Sequence, residues 1–318
     1  MKTGAGKRVM VSVAAVATST ALALGTAGTG SAAPAPEAPA LAPEASTPGV
    51  STPQAASPRA SAAAPSLRAF GISGDGTLMA TFTTDRPQVL DWVRVVTGLS
   101  GDTSLIGIDF RVQNGLMYGV GNKGGIYTIK TPPVTADVVV TKVSQLQYAL
   151  NGANFGVDFN PAADRLRVIS DNGQNLRHNV NDHSTVQDLN LTTPPTEGTT
   201  KGVSAAAYTN NDLSAATGTT LVDINTTGDQ VVLQSPANNG TLAATGSLGI
   251  DAGINAGMDI FSTLSGGKTA DNAAFACLTP YGAGTPSLYS VDILTGQATS
   301  IGQFPLNITD LAVSLTGS

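Results

Sequence analysis

The chain has little of what most catalytic sites are built from. Its 318 residues contain one cysteine, Cys277, so no internal disulfide can form and the core alone must hold the fold. Cys277 lies in the apolar run Ala273–Leu278 and reads as buried and inert. There are two histidines, His178 and His183. A Ser–His–Asp triad would need one of them, and no Gly-x-Ser-x-Gly elbow is present. Glutamate is scarce, and Glu197 is the only one after residue 66, so an acid–base pair would have to use aspartate. Aromatics make up 5% with a single tryptophan, Trp92, which is thin for a sugar-stacking face. No basic cluster offsets the net charge of −6, which argues against nucleic acid and anionic membranes as partners. Neither a phosphate loop nor a dinucleotide fingerprint occurs among the glycines. After Leu67 helical periodicity is nearly absent.

The ends of the chain have clear composition. Met1–Arg8 carries Lys2, Lys7 and Arg8, an apolar run follows to about Leu24, and small residues end in Ser31-Ala32-Ala33. That order predicts a signal peptide over 1–33, cleaved near Ala32 or Ala33. The apolar run falls short of the roughly 20 strongly apolar residues a membrane span needs, so no span is expected after cleavage. Losing three cations takes the charge of −6 to −9. Residues 34–66 are nearly all Ala, Pro and Ser and predict a disordered, semi-extended linker. The folded domain is expected over 67–318, at the cell surface or secreted.

That domain repeats one unit, clearest at Asn154–Val180, where three short β-rich runs alternate with turn residues. Its leading strand recurs as Leu105–Phe110, Phe155–Phe159, Ser204–Thr209, Gly257–Ser262 and Ile308–Ser314. A common slot holds Asp109, Asp158, Ala206, Asp259 and Asp310, spaced 48 to 53 residues apart. Each of the first four leading strands is followed by three more. A period near 50 with four strands per period predicts an all-β, five-bladed β-propeller. The fifth set is split: Leu67–Gly98 supplies three strands, and the C-terminal leading strand closes the ring beside them. A β-sandwich is the alternative. In the third set the loop Asn210–Thr217 is lengthened.

Asn154–Val180, with its segment DFNPAADRLRV, and the stretches Gly240–Leu248 and Ser287–Gly296 resemble a family of exported bacterial proteins known as domain of unknown function 4394. The resemblance covers nearly all of Leu67–Val313. It implies a bacterial source and a propeller-like fold. It implies no established activity, so no catalytic residue is carried over.

Equivalent positions of a closed ring converge on its axis, which brings Asp109, Asp158, Asp259 and Asp310 together. The favoured expectation is structural: each carboxylate accepts N–H groups from its own blade's turn, with its pKa depressed. Two alternatives use the same four residues, a Ca2+ site and a glycosidase acid–base pair. Arg165, Arg167 and Arg177 cluster beside Asp158, Asp164 and Asp171 and are expected to pair with them; the alternative is a basic pocket for an acidic ligand. Asp171-Asn172-Gly173 reads as a hairpin turn, and His178 as packing between blades. The reading as a whole is an exported, non-enzymatic binding or interaction module, monomeric, without a cofactor, for an unknown extracellular ligand or protein. A glycan-acting hydrolase using the axial aspartates is the alternative.

Overall fold

Short β-rich runs make strands here because the main chain keeps reversing at residues built for turns. In the DFNPAADRLRV segment, Asn160 Oδ1 accepts the N–H groups of Ala162 and Ala163, and Asp164 takes φ 52. Asn225 Oδ1 does the same for Thr227 and Gly228, and Asp292 Oδ1 for Leu294 and Thr295. Each is an Asx turn that closes a hairpin with a side-chain acceptor.

The computed structural model describes residues 64–318, so the expected signal peptide, and the linker up to residue 63, lie outside the described residues. No helix among the described residues is long and apolar enough to cross a membrane. The described chain is all-β with one 3₁₀ turn, Ala237–Asn239. Its strands are β1 (Arg68–Ser73), β2 (Leu78–Thr83), β3 (Trp92–Thr97), β4 (Leu105–Arg111), β5 (Leu116–Gly121), β6 (Gly125–Lys130) and β7 (Val138–Gln145). There follow β8 (Phe155–Asn160), β9 (Arg165–Ser170), β10 (Asn175–His178), β11 (Thr185–Gln187), β12 (Val203–Tyr208), β13 (Leu221–Asn225), β14 (Gln230–Gln234) and β15 (Leu242–Ser247). The last are β16 (Ala252–Ser265), β17 (Lys268–Pro280), β18 (Ser287–Val291), β19 (Ala298–Gln303) and β20 (Ile308–Val313).

Three four-stranded antiparallel sheets run β8–β11, β12–β15 and β16–β19. The remaining strands form one eight-stranded sheet in the order β20-β1-β2-β3-β7-β6-β5-β4. It consists of two four-stranded groups joined at their outer edges by a short parallel pair, Val96 opposite Val138 and Thr97 opposite Val139. This junction covers two edges that would otherwise offer unpaired backbone groups. The C-terminal strand β20 lies antiparallel to β1, with Phe70 opposite Ala312.

The five recurrent stretches all fall in leading strands: β4, β8, β12, β16 and β20. Each packs beside the next, and β20 returns to β4. The core fills the spaces between neighbouring sheets. Ala205, Val222 and Val231 of one meet Met258, Ala276 and Tyr289 of the next. Two edge-on aromatic pairs bridge other such spaces, Phe82–Phe304 with centroids 4.9 Å apart and Tyr118–Phe159 at 5.1 Å. Cys277 is buried within this core, and burial pushes its thiol pKa up. The β16–β17 hairpin runs far beyond the others, turning at Gly266-Gly267, where both residues have positive φ.

Candidate functional site: sealed carboxylates and two polar cavities

The four leading-strand aspartates are buried, and each reaches a different strand. Asp109 Oδ2 accepts the N–H of Phe159 in β8 at 2.7 Å, and Asp158 Oδ1 accepts that of Tyr208 in β12 at 3.1 Å. Asp259 Oδ2 accepts from Val313 in β20 at 2.6 Å, and Asp310 Oδ2 from Ile108 in β4 at 2.8 Å. The expected partners were N–H groups of each blade's own turn. The structure corrects this: every carboxylate ties its strand to the next leading strand. Asp109 and Asp259 also accept from the residue that follows each in its own strand.

Close approach makes these bonds possible. Glycine stands two residues before three of the four aspartates, on the same side of its strand: Gly107, Gly156 and Gly257. A Cβ on Gly156 would lie 2.5 Å from the Ala206 nitrogen, and one on Gly257 would lie 2.4 Å from Asp310 Cα.

Asp109, Asp158 and Asp259 also bring oxygens within 4.8 Å of one another. Burial comes first among the forces on them, and it pushes all four carboxyls up. Asp259 rises to about 6 despite its two N–H donors. Its charge adds to the rise of Asp109 and Asp158, which stand well above the ordinary range. The expected depression is therefore reversed, because one or two backbone donors do not replace the water that these groups lose.

Strand β12 has no carboxylate to give to β16. The lengthened loop after it supplies the link instead. Asn211 donates from its backbone to Ser262 Oγ and from its side chain to the Ile260 carbonyl, while Asp212 Oδ2 accepts from Thr269 N and Oγ1. Asn210 and Asn272 exchange a further pair of bonds.

A polar cavity of about 320 Å³ opens at the end of β8 where that strand begins. Ser73, Asp75, Asn154 and Asn255 line it, and Asp310 is the one carboxylate of the four among its walls. A second cavity, of about 240 Å³, lies at the opposite end of β8. Arg165, Arg167 and Arg177 all line it, with Asn160, Tyr208 and Asn238. The grouping expected from sequence is thus present, but the acids differ. Arg167 Nη1 and Arg177 Nε both bond Asp188, at 2.8 and 2.9 Å. Asp164 pairs with Arg111, whose guanidinium holds its carboxyl below the usual range. Asp171 accepts backbone N–H groups of Ala153 and Asn154. Arg165 has no carboxylate partner among the described residues.

His178 is fully buried, with Nε2 2.8 Å from Ser144 Oγ and Nδ1 2.9 Å from Thr185 Oγ1. Burial, and then His183 nearby, push its pKa down to about 4. Asp223, in β13 opposite Ala206, is also fully buried, and neither of its oxygens has a hydrogen-bond partner. Burial pushes its carboxyl well up, against the pull of Arg167.

The family described as Domain of unknown function (DUF4394) matches residues 78–312, which take in the Asx-turn segment, all four leading-strand aspartates and the three arginines. The chain belongs to this family. No curated protein matches it. Among solved structures, the DUF4394 chain is similar to one described as "Crystal structure of Nidogen/Laminin Complex", at 8% identity and a TM-score of 0.45, covering 79% of this chain and 99% of that one. It is also similar to a structural genomics protein of unknown function from Bacteroides thetaiotaomicron, at 13% identity and a TM-score of 0.42, covering 78% and 67%. Likenesses this weak carry nothing about what the DUF4394 chain does.

Several residues of these sites escaped sequence reasoning. Asp188 and Asp223 stand outside the leading strands, Arg111 ends β4 beyond the recurrent stretch, and Asp75 and Asn255 reach the first cavity from outside the recurrent motif. One signal was available: Gly-x-Asp recurs at 107–109, 156–158 and 257–259. A glycine that precedes an aspartate by two marks a strand that another backbone approaches closely.

Proposed function

We propose that this DUF4394 chain is a five-bladed β-propeller, closed by its C-terminal strand, which acts outside the cytoplasm as a non-enzymatic binding module. One observation carries the reading. The four leading-strand carboxylates are buried and committed to backbone N–H groups of neighbouring strands, while a polar cavity, with Asp310 alone of the four in its wall, opens at one end of the strands that hold them. A glycosidase needs two carboxyl groups flanking an open cleft with room for a sugar and a water. Here the acids bond neighbouring strands, a use that stiffens a scaffold. Five leading strands in sequence order, each beside the next, support the five-bladed arrangement, and the β1–β20 pair supports its closure. The composition of 1–33 supports export.

The test uses soluble cell-wall oligosaccharides and peptidoglycan fragments as probes. Binding is followed by calorimetry and cleavage by release of reducing ends. The expected outcome is saturable binding of at least one probe, no cleavage, and loss of binding in Asn255→Trp, which fills the first cavity. Turnover that disappears in Asp109→Asn or Asp158→Asn would replace this reading with the hydrolase.

A further inference from the structure

The second cavity has a chemistry of its own. Three guanidinium groups line it, and one carboxylate, Asp188, answers two of them. Arg167 is nearly spent: its nitrogens bond Tyr208, Asn175, Asp188 and Asn238. Its role is to fix the wall. The other two are not spent. Arg177 gives its Nε to Asp188 and, among the described residues, neither terminal nitrogen has a protein acceptor. Arg165 gives Nη1 to the carbonyls of Ala163 and Asp164, and its other nitrogens have no acceptor among the described residues. The acids whose charge it feels are engaged elsewhere. Asp164 is held by Arg111 and Asn181, and Asp182 by Asn179 and Ser184. An excess of positive charge in a concave site is unusual on a molecule whose overall charge is −6.

We propose that this cavity is an oxyanion site, which takes the phosphate or carboxylate group of a small ligand between Arg165 and Arg177. A planar guanidinium presents parallel N–H donors that match two oxygens of either group, so two arginines in the wall of one cavity recognise an oxyanion by geometry as well as charge. Tyr208, Asn160 and Asn238 line the same cavity and supply neutral polar groups for the rest of the ligand. The site lies at the far end of β8 from the cavity of the proposed function, so either can fail without the other.

The test titrates inorganic phosphate and, separately, citrate into the mature protein, against sodium chloride of equal ionic strength, by calorimetry and by melting temperature. Saturable binding of either anion is expected, weakened about tenfold or more in Arg165→Gln and in Arg177→Gln, as the loss of a charge-assisted bond pair implies. Both side chains lie outside the core, so melting in sodium chloride should change little. If Arg177→Gln does not fold, Arg177→Lys, which keeps the charge without the fork, is read in its place. Asn255→Trp should leave anion binding intact. Tighter binding of phosphate than of citrate assigns a phosphate-bearing ligand, and the reverse a carboxylate. No saturable binding of either anion up to tens of millimolar, or equal affinity in the variants, overturns the proposal.

Discussion

Aspartates of the leading strands and aspartates beside the arginines are the same residue under opposite rules. Asp109, Asp158, Asp259 and Asp310 face backbone N–H groups and one another, and burial drives their pKa values up. Asp164 faces a guanidinium, and its pKa is driven down. Asp158 and Arg167 make the contrast sharpest. They lie directly opposite in the β8–β9 pair, yet no bond joins them. Asp158 reaches on to Tyr208 N, while Arg167 turns to Asp188. Position in a strand brings an acid and a base together, but what lies across the gap between sheets decides which partner each takes.

The largest effect should come from the arginine side. Asp188→Leu leaves the buried Arg167 charge without its counter-ion and should cost about 3–5 kcal/mol in urea denaturation. Asp158→Asn should do the opposite: its Oδ1 still accepts the Tyr208 N–H while one like charge leaves the cluster, so stability at pH 7 should hold or rise. Equal losses in the two variants would erase the distinction. Of intermediate size, Gly156→Ala pushes a methyl against the Ala206 backbone and should cost about 1–3 kcal/mol. Asp158→Leu, which strands the Tyr208 N–H, should cost a similar amount, about 1–3 kcal/mol.

A smaller effect appears with pH. The Asp259 carboxyl is raised to about 6, so its contribution to stability is complete below the unfolded value of 3.8 and is lost as pH climbs through 6. His178 slopes the other way. With its pKa lowered from 6.5 to about 4, its contribution is present above 6.5 and lost as pH falls through 4. The stability of wild type minus that of Asp259→Asn, measured from pH 3.5 to 7, isolates the first and should fall with rising pH; a flat difference would mean that this carboxyl is not raised. The smallest effect concerns calcium. Carboxylates whose charged form burial disfavours and whose oxygens are occupied by N–H groups are poor ligands, so millimolar calcium should leave the melting temperature unchanged. A rise that a chelator reverses would show that these acids belong with cations after all.

The period near 50 located every leading strand and all four leading-strand aspartates, because strand and turn chemistry is local and Gly, Asn and Asp mark it residue by residue. The partners of those aspartates were not legible. Asp109 bonds a residue 50 positions away and Asp310 one 202 positions away, and nothing in a strand's own sequence names its neighbour. Arg165, Arg167 and Arg177 fell into one cavity as grouped, since all three come from one hairpin pair. The acid of Arg167 and Arg177, Asp188, comes from beyond β11, where the chain has left the hairpin. Ala206 looked like a lapse in the pattern. The asparagines after β12 show that the tie it lacks is made by a loop, whose extra length was visible but whose purpose was not.

Arg68 N donates to the Gly317 carbonyl at 3.2 Å, so the first and last strands of the domain start and finish side by side. The order in which the chain is written is then a convention of synthesis rather than of architecture. A gene re-cut to begin after Gly266-Gly267, at the tip of the β16–β17 hairpin, with residues 67 and 318 spliced by a short flexible peptide, should encode the same molecule. Chain continuing from Arg68 or from Gly317 would leave the domain from one point of its surface.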